Sequence, residues 1–217
     1  MKRFLPILVL AAAGLVSACA SPNTVMRNAP IGLSVPAGAN VAASSGPTAA
    51  EIDDWSVAQL IVNVPETLTV SEANTIKPRA DIVWHGDPLG NRREQVTQVM
   101  TEPLETLLAG MDGETPVIIR LDVTRFHAQT PRVRYTFGGE HEIEFNLIVA
   151  DAVTGRVLMG PVARDLTFRA LGGSEAIAAE AIGMGQRERI QIRITEWAQE
   201  EFRLGGTSDE TGPALGS

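Results

Sequence analysis

Residues Glu140–Ala150 alternate in character without a break. His141, Ile143, Phe145, Leu147 and Val149 share one parity; Glu140, Glu142, Glu144 and Asn146 share the other. Side chains on a strand point to opposite faces in turn, so this run demands a sheet with one buried and one solvated face. A slip of one residue would drive every carboxylate into the core, which fixes the parity. Val117–Val123 repeats the pattern, with Val117, Ile119, Leu121 and Val123 on one face and Arg120, Asp122 and Thr124 on the other. Asp151-Ala152-Val153-Thr154-Gly155 is a tight connection into Arg156–Met159 and suits antiparallel neighbours.

Weaker β signals flank this pair. Val57–Val64 is β-rich and stops at Pro65, and Leu68–Val70 continues extended. Ala80–Trp84 is a short strand closed by Gly86-Asp87-Pro88. Asp165–Ala170 either extends the strand past Gly160-Pro161 or adds another. Asn91 opens a helix in which Val96, Val99, Met100, Leu104, Leu107 and Leu108 recur at helical spacing. Pro103 inside it predicts a kink. Ser174 is placed to cap a second, long helix whose stripe runs through Ile177, Ala181, Met184, Ile190, Ile194, Trp197 and Phe202. Gly183 and Gly185 weaken its middle, and Ile190, Ile192 and Ile194 also alternate as a strand would. The expected fold is α+β: an antiparallel sheet of four to six strands with two helices packed on one face.

The chain opens on Lys2-Arg3 and an apolar stretch from Phe4 to Val16, a secretory signal. That stretch is too short for a membrane span and is broken by Pro6 and Gly14. Cys19 is the only cysteine, and Val16-Ser17-Ala18-Cys19 resembles the bacterial lipobox. The resemblance implies cleavage between Ala18 and Cys19, with acyl chains such as palmitate on Cys19. Residues 20–50, rich in Ala, Ser, Pro, Gly and Asn with Arg27 as their lone basic residue, read as a flexible tether. The expected divisions are a signal at 1–18, a tether at 19–50, one domain at 51–204 and a disordered tail at 205–217. The whole chain has 18 basic and 26 acidic side chains; cleavage would remove Lys2 and Arg3 and leave a formal charge of −10. Such a surface repels nucleic acid and anionic headgroups, so the lipid would be the membrane contact.

No catalytic constellation is visible. His85, His127 and His141 form no helical metal pair, and strand parity separates His141 from the glutamates beside it. All three are read as core-edge or loop histidines, and no metal or cofactor is expected. Gly183-x-Gly185 lacks the third glycine of a dinucleotide fingerprint. Two segments suit partner recognition. One is the loop that carries Trp84, Asp87, Arg92 and Arg93, where an aromatic sits beside Gly, Pro and two Arg; its competing reading is a strand-to-helix turn with Trp84 in the core. The other is Arg132-Val133-Arg134-Tyr135, with Arg132 and Arg134 as the candidate contacts or, on the plainer reading, a polar hairpin loop.

The turn Asp151–Leu158 resembles the hairpin found in many periplasmic lipoproteins before a C-terminal helix. Ala80-Asp81-Ile82-Val83-Trp84-His85-Gly86-Asp87-Pro88 resembles a bacterial lipoprotein family of unknown function, over about residues 50–204. The likeness implies an envelope lipoprotein of a Gram-negative cell, its domain facing the periplasm, on the outer rather than the inner membrane. It brings no active site. The functional expectation is a non-catalytic binding or scaffolding module with an envelope protein as partner, auxiliary to transport or assembly. The alternative is a carrier or enzyme acting on lipid or cell-wall material.

Overall fold

The computed structural model describes residues 46–204. The signal, Cys19, the tether up to residue 45 and the tail from 205 lie outside the described residues. A short helix, α1 (Ala49–Asp53), begins inside the stretch expected as tether. Thr48 and Glu51 form a capping box at its start, with the Thr48 amide donating to Glu51 over 2.7 Å.

Six strands form one mixed sheet. They are β1 (Trp55–Asn63), β2 (Ile82–Val83), β3 (Thr115–His127), β4 (Gly139–Asp151), β5 (Val157–Asp165) and β6 (Phe168–Ala170). The path through the sheet is β1-β3-β4-β5; β2 pairs with β3 beyond β1, and β6 pairs with the start of β4. The β3–β4 and β4–β5 pairs are antiparallel as expected, and Asp151 closes the second with bonds from the Val153 and Thr154 amides. The wholly antiparallel expectation is corrected at β1 and β2, which both run parallel to β3. The cause is α2 (Arg92–Leu108), which lies between them in sequence. A helix returns the chain to the end of the sheet where it started, so the strand after it enters in the same direction.

The buried parity is the expected one. Val117, Ile119, Leu121 and Val123 of β3 and Ile143, Phe145, Leu147 and Val149 of β4 are buried. An irregularity between Val123 and Arg125 shifts the register, so Phe126, three residues after Val123, returns to the core opposite Ile143. On the other face Asn63 donates to Asp122 over 2.7 Å, and Arg120 pairs with the same carboxylate. Glu142 and Glu144, expected to be exposed, are half-buried on a central strand.

Five helices occur among the described residues rather than two, but the two long ones pack as expected on one face. α2 contributes Val96, Val99, Met100, Leu104 and Leu108, and its Asn91 cap accepts bonds from the Arg93 and Glu94 amides. The long terminal helix is instead two: α4 (Gly173–Ala181) and α5 (Gln186–Glu201). Gly183 sits at φ 75°, the left-handed region that ends a helix, and the Gly183 and Met184 amides bond back to the Glu180 and Ala179 carbonyls. Ser174 does not cap α4, which starts one residue earlier with Gly172 as its cap. The predicted stripe therefore holds only in α5, where Ile190, Ile194 and Trp197 are buried together with Phe202 just beyond, while Ile177 and Ile192 are exposed. Trp197 meets Phe145 edge-on at 4.8 Å, and Arg164 of β5 clasps Glu201 with two bonds of 2.7 and 2.6 Å. α2 continues through Pro103. That proline has no N–H for the Val99 carbonyl; Gln191 of α5 supplies one at 3.4 Å.

Candidate functional site

The Trp84 loop is a structural clasp. β2 delivers Trp84 into the core, fully buried and edge-on to Phe126 at 5.7 Å. Its indole N–H donates to Asp87 over 2.6 Å. Gly86 lies against the ring, where a Cβ would come within 2.3 Å of it, so only glycine fits. Asp87 in turn accepts two bonds of 2.9 Å from Arg187 of α5. Arg92 is buried and grips Glu72 through Nε and Nη2 at 2.6 and 2.9 Å, while Nη1 donates to the Asp87 and Pro88 carbonyls. That hydrogen bonding holds the Glu72 carboxyl below its ordinary range. Arg93 donates to the Glu66 and Leu68 carbonyls. Of the two readings, the placement of Trp84 and Arg92 is that of a strand-to-helix turn. Their polar groups bind this turn to the 65–72 segment and to α5.

Arg132 and Arg134 sit elsewhere. Their segment is not a strand or a hairpin loop but a helical turn, α3 (Pro131–Arg134). Thr130 caps it and Pro131 holds its first position, a start signal that was present in the sequence. Arg134 points to α4 and pairs with Glu180; Arg132 is exposed and in no ion pair among the described residues.

Beside α3 a surface cleft of about 350 Å³ opens between the 76–78 segment, the end of β3 and the start of β4. Ile76 and Phe137 on its walls are 57% and 68% exposed, a high value for two large apolar side chains facing one hollow. Glu142 lines the cleft and accepts from Arg125 at 2.5 Å and Lys77 at 3.2 Å. Burial opposes the Glu142 charge, but these bonds outweigh it and hold the carboxyl below its ordinary range. His127 meets the Pro78 carbonyl at 3.2 Å, and burial pushes its pKa down. Neither Ile76 nor Phe137 was singled out from sequence; the pair of aromatics Tyr135 and Phe137 before Gly138-Gly139 was the available signal.

His127 and His141 do not converge. His141 starts β4 on the apolar side against Phe168, while His127 lies opposite Glu142. No group of three or more His, Cys, Asp and Glu side chains able to hold a metal forms among the described residues. His141 is 1% exposed, and burial, with Arg189 and Arg134 adding to it, pushes its pKa down to about 3. The unfolded chain then binds the extra proton first, so stability is lost as pH falls below about 6.5. Between pH 7 and pH 5 the loss from this group should be about 2 kcal/mol. Urea denaturation at both pH values checks it: His141→Leu should show a smaller loss than wild type, and equal losses would place the histidine in water.

The chain belongs to a family of unknown function, DUF6778, whose family model matches residues 55–215. No curated protein matches it by sequence. Among solved structures it is similar to protein XCC0632 of Xanthomonas campestris, a DUF330 member, at 14% identity and TM-score 0.39, over 69% of this chain and 84% of that one. It is also similar to a presumed lipoprotein of Caulobacter crescentus CB15 at 13% identity and TM-score 0.36, over 71% and 90% of the two chains. A third is PelC, a dodecamer from Paraburkholderia phytofirmans, at 12% identity and TM-score 0.38, over 75% and 95%. Scores this low leave function to be argued from the chain itself.

Proposed function

We propose that this protein is a lipid-anchored envelope module whose domain binds a protein partner and performs no chemistry of its own. Cys19 would carry the acyl chains, residues 20–48 would give the domain reach, and the domain would face the periplasm of a Gram-negative cell from the outer membrane. One observation carries the binding reading: the space between sheet and helices is filled, while a hollow lies outside it. Val99, Met100, Leu147, Ile190 and Ile194 are fully buried in the cluster between the sheet and the two long helices. The 350 Å³ cleft is at the end of the sheet, with Ile76 and Phe137 exposed on its walls, and three of its polar side chains are already engaged: Glu142 by Arg125 and Lys77, His127 by the Pro78 carbonyl and Thr130 by the Thr75 carbonyl. An apolar side chain of a partner would fit between these two, with Glu142 and Lys77 beside it. Among the described residues no helix is long and apolar enough to cross a membrane.

Two experiments test the parts separately. Cys19→Ala should abolish incorporation of labelled palmitate and leave a longer, uncut precursor. Maturation to wild-type size with lipid attached would sink the anchor. Cross-linked capture from detergent-solubilised envelope should recover a protein partner with the wild-type chain and lose it with Ile76→Ser/Phe137→Ser. Equal recovery by both would remove the cleft from the interaction, and recovery of lipid alone would favour a carrier.

A further inference from the structure

A second, much smaller niche lies beneath α4 and the first turn of α5. Gln129, Arg134, His141, Gly185, Gln186 and Arg189 are on its walls. Its volume is about 10 Å³, room for one water or one ion of similar size. His141, Gln129 and Gln186 are 1%, 5% and 5% exposed. Each carries a buried polar atom without a hydrogen-bond partner: Nδ1 of His141, Nε2 of Gln129 and both amide atoms of Gln186. Arg189 Nε is a fourth such group. A buried polar group left unpaired destabilises the fold. Four such side chains line one space of the size of a single small ligand.

We propose that this niche binds one compact monovalent anion. The Arg189 guanidinium is always charged; its Nη2 donates to the Arg169 carbonyl at 3.1 Å, and it is in no ion pair among the described residues. Arg134 is a second guanidinium on the wall, paired with Glu180. Gly185 caps the 16-residue α5 without a side chain, so the helix start turns bare amides and the positive end of its dipole to the same space. Glu180 and Glu188 are the opposing charges: Glu180 is taken up by Arg134, and Glu188 is close to Gly185 but exposed to solvent. Donors outnumber acceptors: Arg189 Nε, Gln129 Nε2 and Gln186 Nε2 face a single amide oxygen, with His141 able to take either role. Water must donate as well as accept, whereas an anion only accepts. The size suits chloride or one oxygen of a carboxylate and excludes sulfate. The niche shares Gln129 with the wall of the cleft, but its proposed occupant does not depend on the cleft's function.

The full-length lipidated protein in neutral-detergent micelles is the sample for the test. Thermal unfolding is followed as isethionate is replaced by chloride, acetate or sulfate at constant ionic strength. Chloride or acetate should raise Tm saturably, whereas sulfate should give only the unsaturating rise of an excluded salt; at twenty times the dissociation constant the folding equilibrium shifts about 20-fold. Whichever of the two acts tells a free halide from a carboxylate group. Arg189→Gln and Gln129→Leu should abolish the effect, and Arg132→Ala should keep it. Crystals of the wild-type protein grown in bromide or acetate give a readout free of variants: the anion should lie within hydrogen-bond distance of Arg189 Nε. Water alone there in both salts overturns the proposal, as does a Tm indifferent to which anion is present.

Discussion

Phe145→Ala should destabilise the domain by about 3–5 kcal/mol, a large part of a typical domain's stability. The ring is 1% exposed, sits on the central strand β4 and stands edge-on to Trp197 of α5. Its loss would leave a cavity at the contact between the sheet and the helix layer. Glu144, one residue earlier, faces the other way and makes no side-chain hydrogen bond or ion pair among the described residues. Glu144→Ala should therefore change stability by no more than about 0.5 kcal/mol. Chemical denaturation of the two variants checks the parity directly. Equal costs, or Glu144→Ala the worse, would mean that the buried face has been misassigned.

Trp84→Ala should be as damaging, at about 3–5 kcal/mol. The variant loses a fully buried indole and its contact with Phe126, and Asp87 loses the donor that helps hold it against Arg187. Trp84→Phe separates the two contributions. It keeps most of the packing and loses the N–H, so its cost should fall well below that of alanine. A recognition tryptophan would behave differently, weakening partner capture with little change in the urea midpoint. A Trp84→Ala domain as stable as wild type would overturn the clasp.

Local pattern was enough for the parts of the fold whose signal is periodic. The β4 parity, the β4–β5 turn and the Asn91 start of α2 follow from side-chain alternation and capping chemistry within a dozen residues. The parallel placement of β1 was legible in principle, because a 17-residue helix separates it from β3. The break at Gly183 was marked by the glycine, but glycine within a helix is tolerated often enough that only the observed φ of 75° decides it. Ile190, Ile192 and Ile194 fit two periods at once, and burial of the first and third on α5 with Ile192 outside resolved them.

The candidate sites separate along the same line. Sequence by itself determined the basic start with its apolar stretch, the lone Cys19 in a lipobox-like run and the residues of the Trp84 loop, because each is a property of neighbours in the chain. Which of those residues remain available was decided only by tertiary structure. Arg92 meets Glu72 twenty positions away, Asp87 meets Arg187 a hundred away, and Arg134 is taken by Glu180. Ile76 and Phe137 face one cleft, and Gln129 and Arg189 one niche, because the sheet and helices bring distant segments together. A side chain's exposure and partners are set by what packs over it, and that depends on long-range pairing that no short window of sequence contains.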